Sequence, residues 1–392
     1  MSEPPLRVLF LTPYYKPYLG GIERVIERLS AGMVQRRDVE AVGVLTTHFA
    51  FPRHWMRDLP AREAMDGGVE ILRLPAWPKV APPYFSVPLV WFPPSAIRAA
   101  IRAFRPTVLH WVGDGWFWGH YFSARYAPNA AVIFSPSFHT LTRDKFWLRP
   151  LNIALCRRAD RVTALSPLER RAVHRTYCVP RRKHLVVSWG VDPDDDPPEP
   201  RPADAPLTVL CVGRLGEHKN QRFLIEAFAA ALPRLRHSAR LVLVGRDEGG
   251  RAAIERQIAE LGLRERVLIT GELSDAEVRA WYHRAELFAL FSRYEAFGLV
   301  FFEAMVAGVP VLTHRVGANA ELLREGAVVV PEHDRTGAAE SMVRLLNDDA
   351  ERQRLGAAAR RYAATFTWPP VLNRFVALYR EALAERRGIS AR

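Results

Sequence analysis

Two carboxylates stand out by their spacing. Glu295 and Glu303 bracket the segment Glu295-Ala-Phe-Gly-Leu-Val-Phe-Phe-Glu303, which follows an apolar run at 287–291. A helix is predicted from near Phe297, so Glu303 falls inside an otherwise apolar helical stretch. An unpartnered carboxylate there would be costly. It must accept hydrogen bonds from a polar group, and a ribose diol or a neighbouring arginine would serve. Glu295 lies just before the helix, where it could cap the helix or act on a bound ligand. Eight helical residues span about 12 Å, beyond the roughly 5–9.5 Å that separates the two acids of a glycosidase. The spacing therefore assigns the two carboxylates different tasks.

A second cluster, Gly213-Arg214-Leu215-Gly216-Glu217-His218-Lys219-Asn220, sits between a predicted strand and a predicted helix. Arg214 and Lys219, backed by a helix N-terminus, suit a diphosphate, with a solvated basic loop as the alternative. Near the start of the chain, Gly20-Gly21 opens a helix, where backbone amides can approach a phosphate or sugar closely. His139 follows another strand and, on its own, is more readily structural than functional. The Asp194-Asp195-Asp196 run could imitate a metal-binding D-x-D. It lies in a proline-rich stretch and is expected to be solvated linker. No His or Cys cluster, nucleophile elbow or Walker loop is present.

The elements that must position these residues alternate short β-branched runs with helical patterns, as in parallel sheets covered by helices on both faces. Strands are predicted near 7–12, 41–46, 69–73, 107–112, 131–135 and 161–165, with helices at 22–36 and 95–104. After the linker, strands are predicted at 207–213, 240–244, 266–270, 287–291, 309–313 and 327–330. Helices at 335–346, 349–364 and 370–387 close the chain. The chain of 392 residues, 49% hydrophobic and 25% charged, suits two α/β domains of Rossmann type facing a cleft. The expected division is 1–192, a linker at 193–206, 207–368, and a terminal helical segment at 369–392. Ligands of open parallel sheets bind beyond the carboxyl ends of the strands, where the motifs above fall.

Taken together, these residues resemble the family-4 (group 1) retaining glycosyltransferases of the GT-B fold. The resemblance rests on Gly20-Gly21, the Gly-Arg-Leu run through Lys219, the Glu295/Glu303 pair, Glu303-Ala-Met-Val-Ala-Gly-Val-Pro-Val-Leu312, and Val316-Gly317-Ala-Asn-Ala-Glu321. It implies that Arg214 and Lys219 hold the donor diphosphate and stabilise the departing charge, and that Glu303 binds the ribose. It also implies that Glu295, with Phe297, Gly298 and Leu299, positions the donor sugar. His139 would contact the sugar hydroxyls and Gly21 would approach the diphosphate. The donor would be a nucleotide-diphosphate sugar carrying a hexose of mannose, glucose or N-acetylglucosamine type. The acceptor would be a glycan or lipid-linked sugar, and neither a metal nor another cofactor is expected. The terminal helix would cross back onto the first domain. The chain departs from the usual pattern at Gly317-Ala318-Asn319-Ala320 and at Trp189-Gly190.

The formal net charge is +13, and only five of the 55 basic residues are lysines. Residues 143–183 hold twelve of the basic residues against three acids. With the aromatics of 82–92, Trp111, Trp116–Trp118 and Phe146-Trp147-Leu148, this stretch is expected to contact an anionic membrane surface, the alternative being aromatics in the core and arginines on a solvated helix face. Three widely spaced cysteines and the lack of a signal-peptide core or spanning segment imply a cytoplasmic protein, peripheral on the inner face of the membrane. The rival readings are a sugar-nucleotide epimerase or phosphorylase of the same fold, and a basic nucleic-acid-binding protein. No nucleic-acid recognition signature supports the last, and nucleic acid is not expected as a partner.

Overall fold

The computed structural model of the chain describes all residues except 1–3, 18–20, 51–53, 56–57, 66, 76, 79–89, 92, 114–118, 137–148, 195–201, 203–204 and 389–392. It divides into two compact units, Met1–Gly190 with Trp368–Arg392, and Val191–Thr367.

In chain order the first unit contains β1 (Leu6–Leu11), α1 (Gly21–Val34), β2 (Val39–Thr47), β3 (Arg62–Ala64), β4 (Glu70–Leu74), α2 (Pro94–Phe104) and β5 (Val108–Val112). It continues with α3 (Gly119–Tyr126), β6 (Ala131–Ser135), α4 (Arg149–Arg158), β7 (Arg161–Ala164), α5 (Pro167–Tyr177) and β8 (His184–Val186). The sheet order is β8-β7-β6-β5-β1-β2-β4-β3, parallel except at the edge strand β3. Every residue of β5 (Val-Leu-His-Trp-Val) is buried, as expected of a parallel strand covered on both faces, so its one polar residue, His110, must find partners inside the protein. Alternate strand residues face different layers. Leu9, Leu11, Leu109, Trp111, Val132 and Phe134 share one core with residues of α2, α3, α4 and α5.

The second unit runs β9 (Leu207–Val212), α6 (Gln221–Ala231), β10 (Ala239–Val244), α7 (Arg251–Glu260), β11 (Val267–Gly271), α8 (Asp275–His283) and β12 (Leu287–Ala289). Then come α9 (Leu299–Val306), β13 (Val311–His314), α10 (Asn319–Leu322), β14 (Ala327–Val330), α11 (Arg335–Asn347) and α12 (Asp349–Ala363). Its six strands, in the order β11-β10-β9-β12-β13-β14, are all parallel. Local chemistry sets the helix starts. Ser274 and Glu277 form a reciprocal capping box on α8, and Asp334 and Asp348 cap α11 and α12.

The last helix, α13 (Trp368–Arg386), belongs to the first unit, where it lies beside α1. Nine of its side chains are buried. Tyr379 hydrogen-bonds the buried His110 Nδ1 at 2.7 Å, and His110 Nε2 meets Ser135 Oγ at 2.7 Å. Burial pushes the His110 pKa down to about 3, so the ring is a neutral bridge from α13 into the sheet. Sequence reasoning gave it no role, and the structure makes it structural.

Candidate functional site

The second sheet changes winding direction between β9 and β12, which are neighbours in space but 78 residues apart at their pairing point, Val209 with Leu287 and Leu210 with Phe288. Crevices for ligands form at such switch points, beyond the strand ends. The loop after β9 carries Gly213 to Asn220, with one 3-10 turn over Glu217–Lys219 and Asn220 in the left-handed region (φ 53°) before α6. The loop after β12 carries Ser292 to Gly298. Three hydrogen bonds tie down the first loop: Asn220 Nδ2 to the Phe291 carbonyl (3.1 Å), the Arg293 amide to the His218 carbonyl (2.9 Å) and Gln221 Nε2 to the Arg214 carbonyl (2.8 Å).

Across the switch point, Lys219 Nζ lies 2.5 Å from Glu295 Oε1, and the two side chains are only 15% and 9% exposed. Burial disfavours the Glu295 carboxylate. The charge and hydrogen bond of Lys219 outweigh that cost and hold the group below the usual carboxylate range. The two residues were assigned to different parts of a ligand, yet without one they neutralise each other. Glu295 is not the cap of the following helix. That position is Gly298 (φ 73°), and α9 starts at Leu299, two residues later than the sequence pattern suggests. Phe297 instead leaves the helical path to stack on Phe302, with ring centroids 4.6 Å apart.

The backbone of Glu295 is gripped by the motif that follows β13. The Ala318 amide donates to the Glu295 carbonyl at 3.1 Å. Gly317 has φ 51°, and a Cβ there would lie 2.1 Å from that carbonyl oxygen, so only glycine fits. Asn319, one of the departures from the family pattern, is buried and donates to Thr313 Oγ1 (3.2 Å) and the His314 carbonyl (3.3 Å).

Glu303 is half-buried on α9 and accepts a hydrogen bond of 2.9 Å from the Tyr282 hydroxyl near the end of α8. Tyr282 was not foreseen, because an aromatic residue in an amphipathic pattern reads as core. Arg214 is exposed and pairs with Glu248 at 2.8 Å, from the loop after β10. Arg214 and Lys219 each have their own acidic partner. The reading of Asp194 as solvated is also corrected: its side chain is 7% exposed and lies 3.1 Å from His283 Nε2 at the end of α8. The remainder of that acidic run, Asp195 and Asp196, lies outside the described residues.

Gly20, His139, Trp116–Trp118, Phe146–Leu148 and most of 82–92 also lie outside the described residues. Gly21 opens α1, and among the described residues no atom comes within 4 Å of where a Cβ would project. Trp111 is buried in the core, with its indole N–H donating to Ser123 Oγ at 3.0 Å, so it adds nothing to an aromatic surface. Among the described residues, no group of three or more His, Cys, Asp or Glu side chains converges to hold a metal. No described helix is long and apolar enough to cross a membrane.

Two parallel-sheet α/β units with polar motifs at the strand ends are the architecture of the GT-B glycosyltransferases. Residues 19–195 match the model of Glycosyltransferase Family 4, and residues 192–362 match that of Glycosyl transferases group 1. The chain thus belongs to the group 1 glycosyltransferases of the GT-B fold. It is similar to sucrose-phosphate synthase from Thermosynechococcus elongatus (TM-score 0.74, 22% identity, 98% of this chain and 100% of that one). It is likewise similar to Anabaena HepE in complex with UDP and glucose (TM-score 0.72, 17% identity, 96% and 100%). In sequence it is 32% identical over 243 residues to a D-inositol 3-phosphate glycosyltransferase of Thermobispora bispora, covering 57% of this chain and 56% of that relative. The match thus spans little more than half the length of that curated relative.

Proposed function

We propose that the protein transfers a hexose of mannose, glucose or N-acetylglucosamine type from a nucleotide-diphosphate sugar to a glycan or lipid-linked acceptor. Transfer would retain the anomeric configuration and need no metal, and would serve cell-envelope polysaccharide or glycolipid synthesis on the cytoplasmic side of the membrane. The observation that carries this reading is the buried Lys219–Glu295 pair at the switch point of the second sheet. An arriving diphosphate competes with Glu295 for the Lys219 ammonium, and Arg214 adds a second cation from the exposed rim. The carboxylate so released accepts hydrogen bonds from the donor sugar's hydroxyls. Fixed positive charge where the leaving diphosphate gathers its negative charge is the main source of rate. Glu303, oriented by Tyr282, takes the ribose hydroxyls, and the backbone at Phe297, Gly298 and Leu299 approaches the donor. Gly20, Gly21 and His139 keep donor-contacting roles within the proposal.

A thermal-shift series with UDP-, GDP- and ADP-sugars, followed by nucleoside diphosphate release with and without acceptor, tests the reading. One base should stabilise the protein, and Lys219→Ala and Glu303→Ala should each abolish that shift. No response to any of the three, or unchanged shifts in both variants, overturns the site. Release that leaves the sugar on no acceptor overturns the transfer.

A further inference from the structure

Helix α8, which carries the partner of Glu303, has little to hold it by packing. Of its nine residues only Tyr282 is buried. Apolar stabilisation scales with the surface removed from water, so one side chain fixes neither where the helix lies nor how it is rotated. The partly exposed Trp281 ring adds a contact beneath the Arg240 guanidinium, 5.3 Å from the ring centre. Polar contacts at the two ends supply the rest. The capping box of Ser274 and Glu277 holds the first turn. In the last turn, His283 Nε2 lies 3.1 Å from Asp194 Oδ2, and the two side chains are only 6% and 7% exposed. Polar groups withdrawn from water are costly to separate, which lets so small a contact fix a helix end.

Asp194 is itself anchored. Three residues earlier, Val191 pairs with Thr367 in an isolated parallel bridge, and its amide donates to the Phe366 carbonyl at 2.8 Å. Phe366 packs on Phe302 of α9, with ring centroids 4.6 Å apart. Segment 191–194 therefore begins on residues that back α9 and ends on α8, whose Tyr282 meets Glu303 of the same helix. Tyr282 and His283 are successive residues of the last turn, so their side chains leave the helix about 100° apart. The Tyr282 hydroxyl lies 2.9 Å from Glu303 Oε2 and 3.4 Å from the Val300 carbonyl. A rotation or slide of this turn moves the contacts of both residues together.

We infer that Asp194 and His283 are positioning residues for Glu303. Their contact sets the last turn of α8, the turn aims the Tyr282 hydroxyl, and the hydroxyl orients the carboxylate. The inference rests on the reading of Glu303 as the group that takes the ribose hydroxyls of the donor. It gives the first acid of the Asp194-Asp195-Asp196 run a task that does not involve a metal: neither residue touches the donor, and both act through Tyr282.

Titration calorimetry of the full chain with UDP, GDP and ADP, and separately with inorganic pyrophosphate, tests this. Asp194→Ala should weaken binding of the tightest nucleoside diphosphate by roughly fivefold and leave pyrophosphate, which has no ribose, unchanged. Asp194→Asn keeps an oxygen beside the imidazole and should recover most of that loss. On the Tyr282→Phe background, where the hydroxyl is already gone, Asp194→Ala should weaken binding by less than about twofold. With no ligand present, Asp194→Ala should also move the Cζ NMR resonance of Tyr282, assigned as the tyrosine signal missing from Tyr282→Phe. That readout does not depend on donor binding. An unmoved resonance, an unchanged nucleoside diphosphate affinity, an equal loss for pyrophosphate, or an undiminished loss on the Tyr282→Phe background each overturns the inference and leaves the donor reading standing. A parent chain that binds none of the three nucleoside diphosphates overturns the donor reading, and the inference with it.

Discussion

The two units place similar sheets under different electrostatic regimes. In the second unit, charged side chains of low exposure meet at the loops beyond the strand ends, as Lys219 and Glu295 do. In the first unit the described polar interior is structural. Arg73 on β4 is buried and donates to the Pro60 (3.1 Å) and Lys16 (3.2 Å) carbonyls, pinning the loop after β1. His110 joins α13 to the sheet, and Arg161 reaches Glu385 on the same helix with a bond of 2.9 Å. Charge that builds a fold is consumed by its neighbours. Charge that awaits a ligand is held by a partner which the ligand can displace. The proposals separate these two uses by asking which variants move stability, which move donor binding, and which move both.

The largest effect should come from the Lys219–Glu295 pair. Removing one member of a buried ion pair strands the other, at a cost of about 3–5 kcal/mol. Lys219→Ala should lower the melting temperature and, in the conditions where it stays folded, cut turnover by roughly 10²–10³. The double variant with Glu295→Ala should recover much of the stability and none of the activity. Full additivity of the two losses in stability would show that the pair is not coupled. The pH dependence has a definite sign. The Glu295 pKa is depressed in the folded state, so its stabilisation is present above its unfolded value, about 4.3, and is lost as pH falls through the lower folded value. Lys219→Ala removes the depressing partner and leaves burial unopposed. The folded pKa of Glu295 then rises above its unfolded value, and the sign reverses: the variant's deficit in stability relative to the parent, followed by thermal unfolding from pH 3 to 7, should be largest near pH 7 and shrink as pH falls.

Tyr379→Phe tests the first unit in the opposite sense. It leaves the buried His110 Nδ1 without its partner, which should cost about 1–3 kcal/mol. The melting temperature should fall, while the donor-induced shift stays as in the parent. A lost donor shift would mean that the polar interior of the first unit is not merely structural.

What the sequence made legible follows from how locally each feature is encoded. The strands and helices for which the sequence supplied ranges lie within one or two residues of their observed ends, because burial on both faces of a parallel sheet writes itself as apolar runs, whereas the short edge strands β3 and β8 left no such run. Lys219 and Glu295 each declared themselves beside a strand end, but their union was hidden, since they are 76 residues apart. Tyr282, which orients Glu303 from 21 residues away, was lost in an ordinary helical pattern. Asp194 was misread because a proline-rich acidic run looks solvated, and nothing nearby in the chain announces His283.

Glu303→Gln should act on binding with little effect on the fold. The amide oxygen can still accept from Tyr282, so the melting temperature should stay within about 0.5 kcal/mol of the parent. The weaker acceptor should bind the ribose less well, lowering donor affinity about tenfold by titration calorimetry. An equal loss for inorganic pyrophosphate, which has no ribose, would move Glu303 away from that role.

The smallest effect belongs to Glu248, the partner of Arg214 on the exposed rim. Exposed pairs are worth about 0–1 kcal/mol, and both side chains are substantially exposed, at 47% and 35%. Glu248→Gln should hardly change stability. It should leave donor affinity equal or a few-fold higher, because Arg214 no longer has to exchange one anion for another. The buried pair has no such freedom, since Lys219 cannot lose Glu295 without a cost to the fold. Donor affinity reduced tenfold or more by Glu248→Gln would mean that Glu248 itself touches the donor, and the division between a displaceable resting partner and a ligand-binding group would fail at the rim.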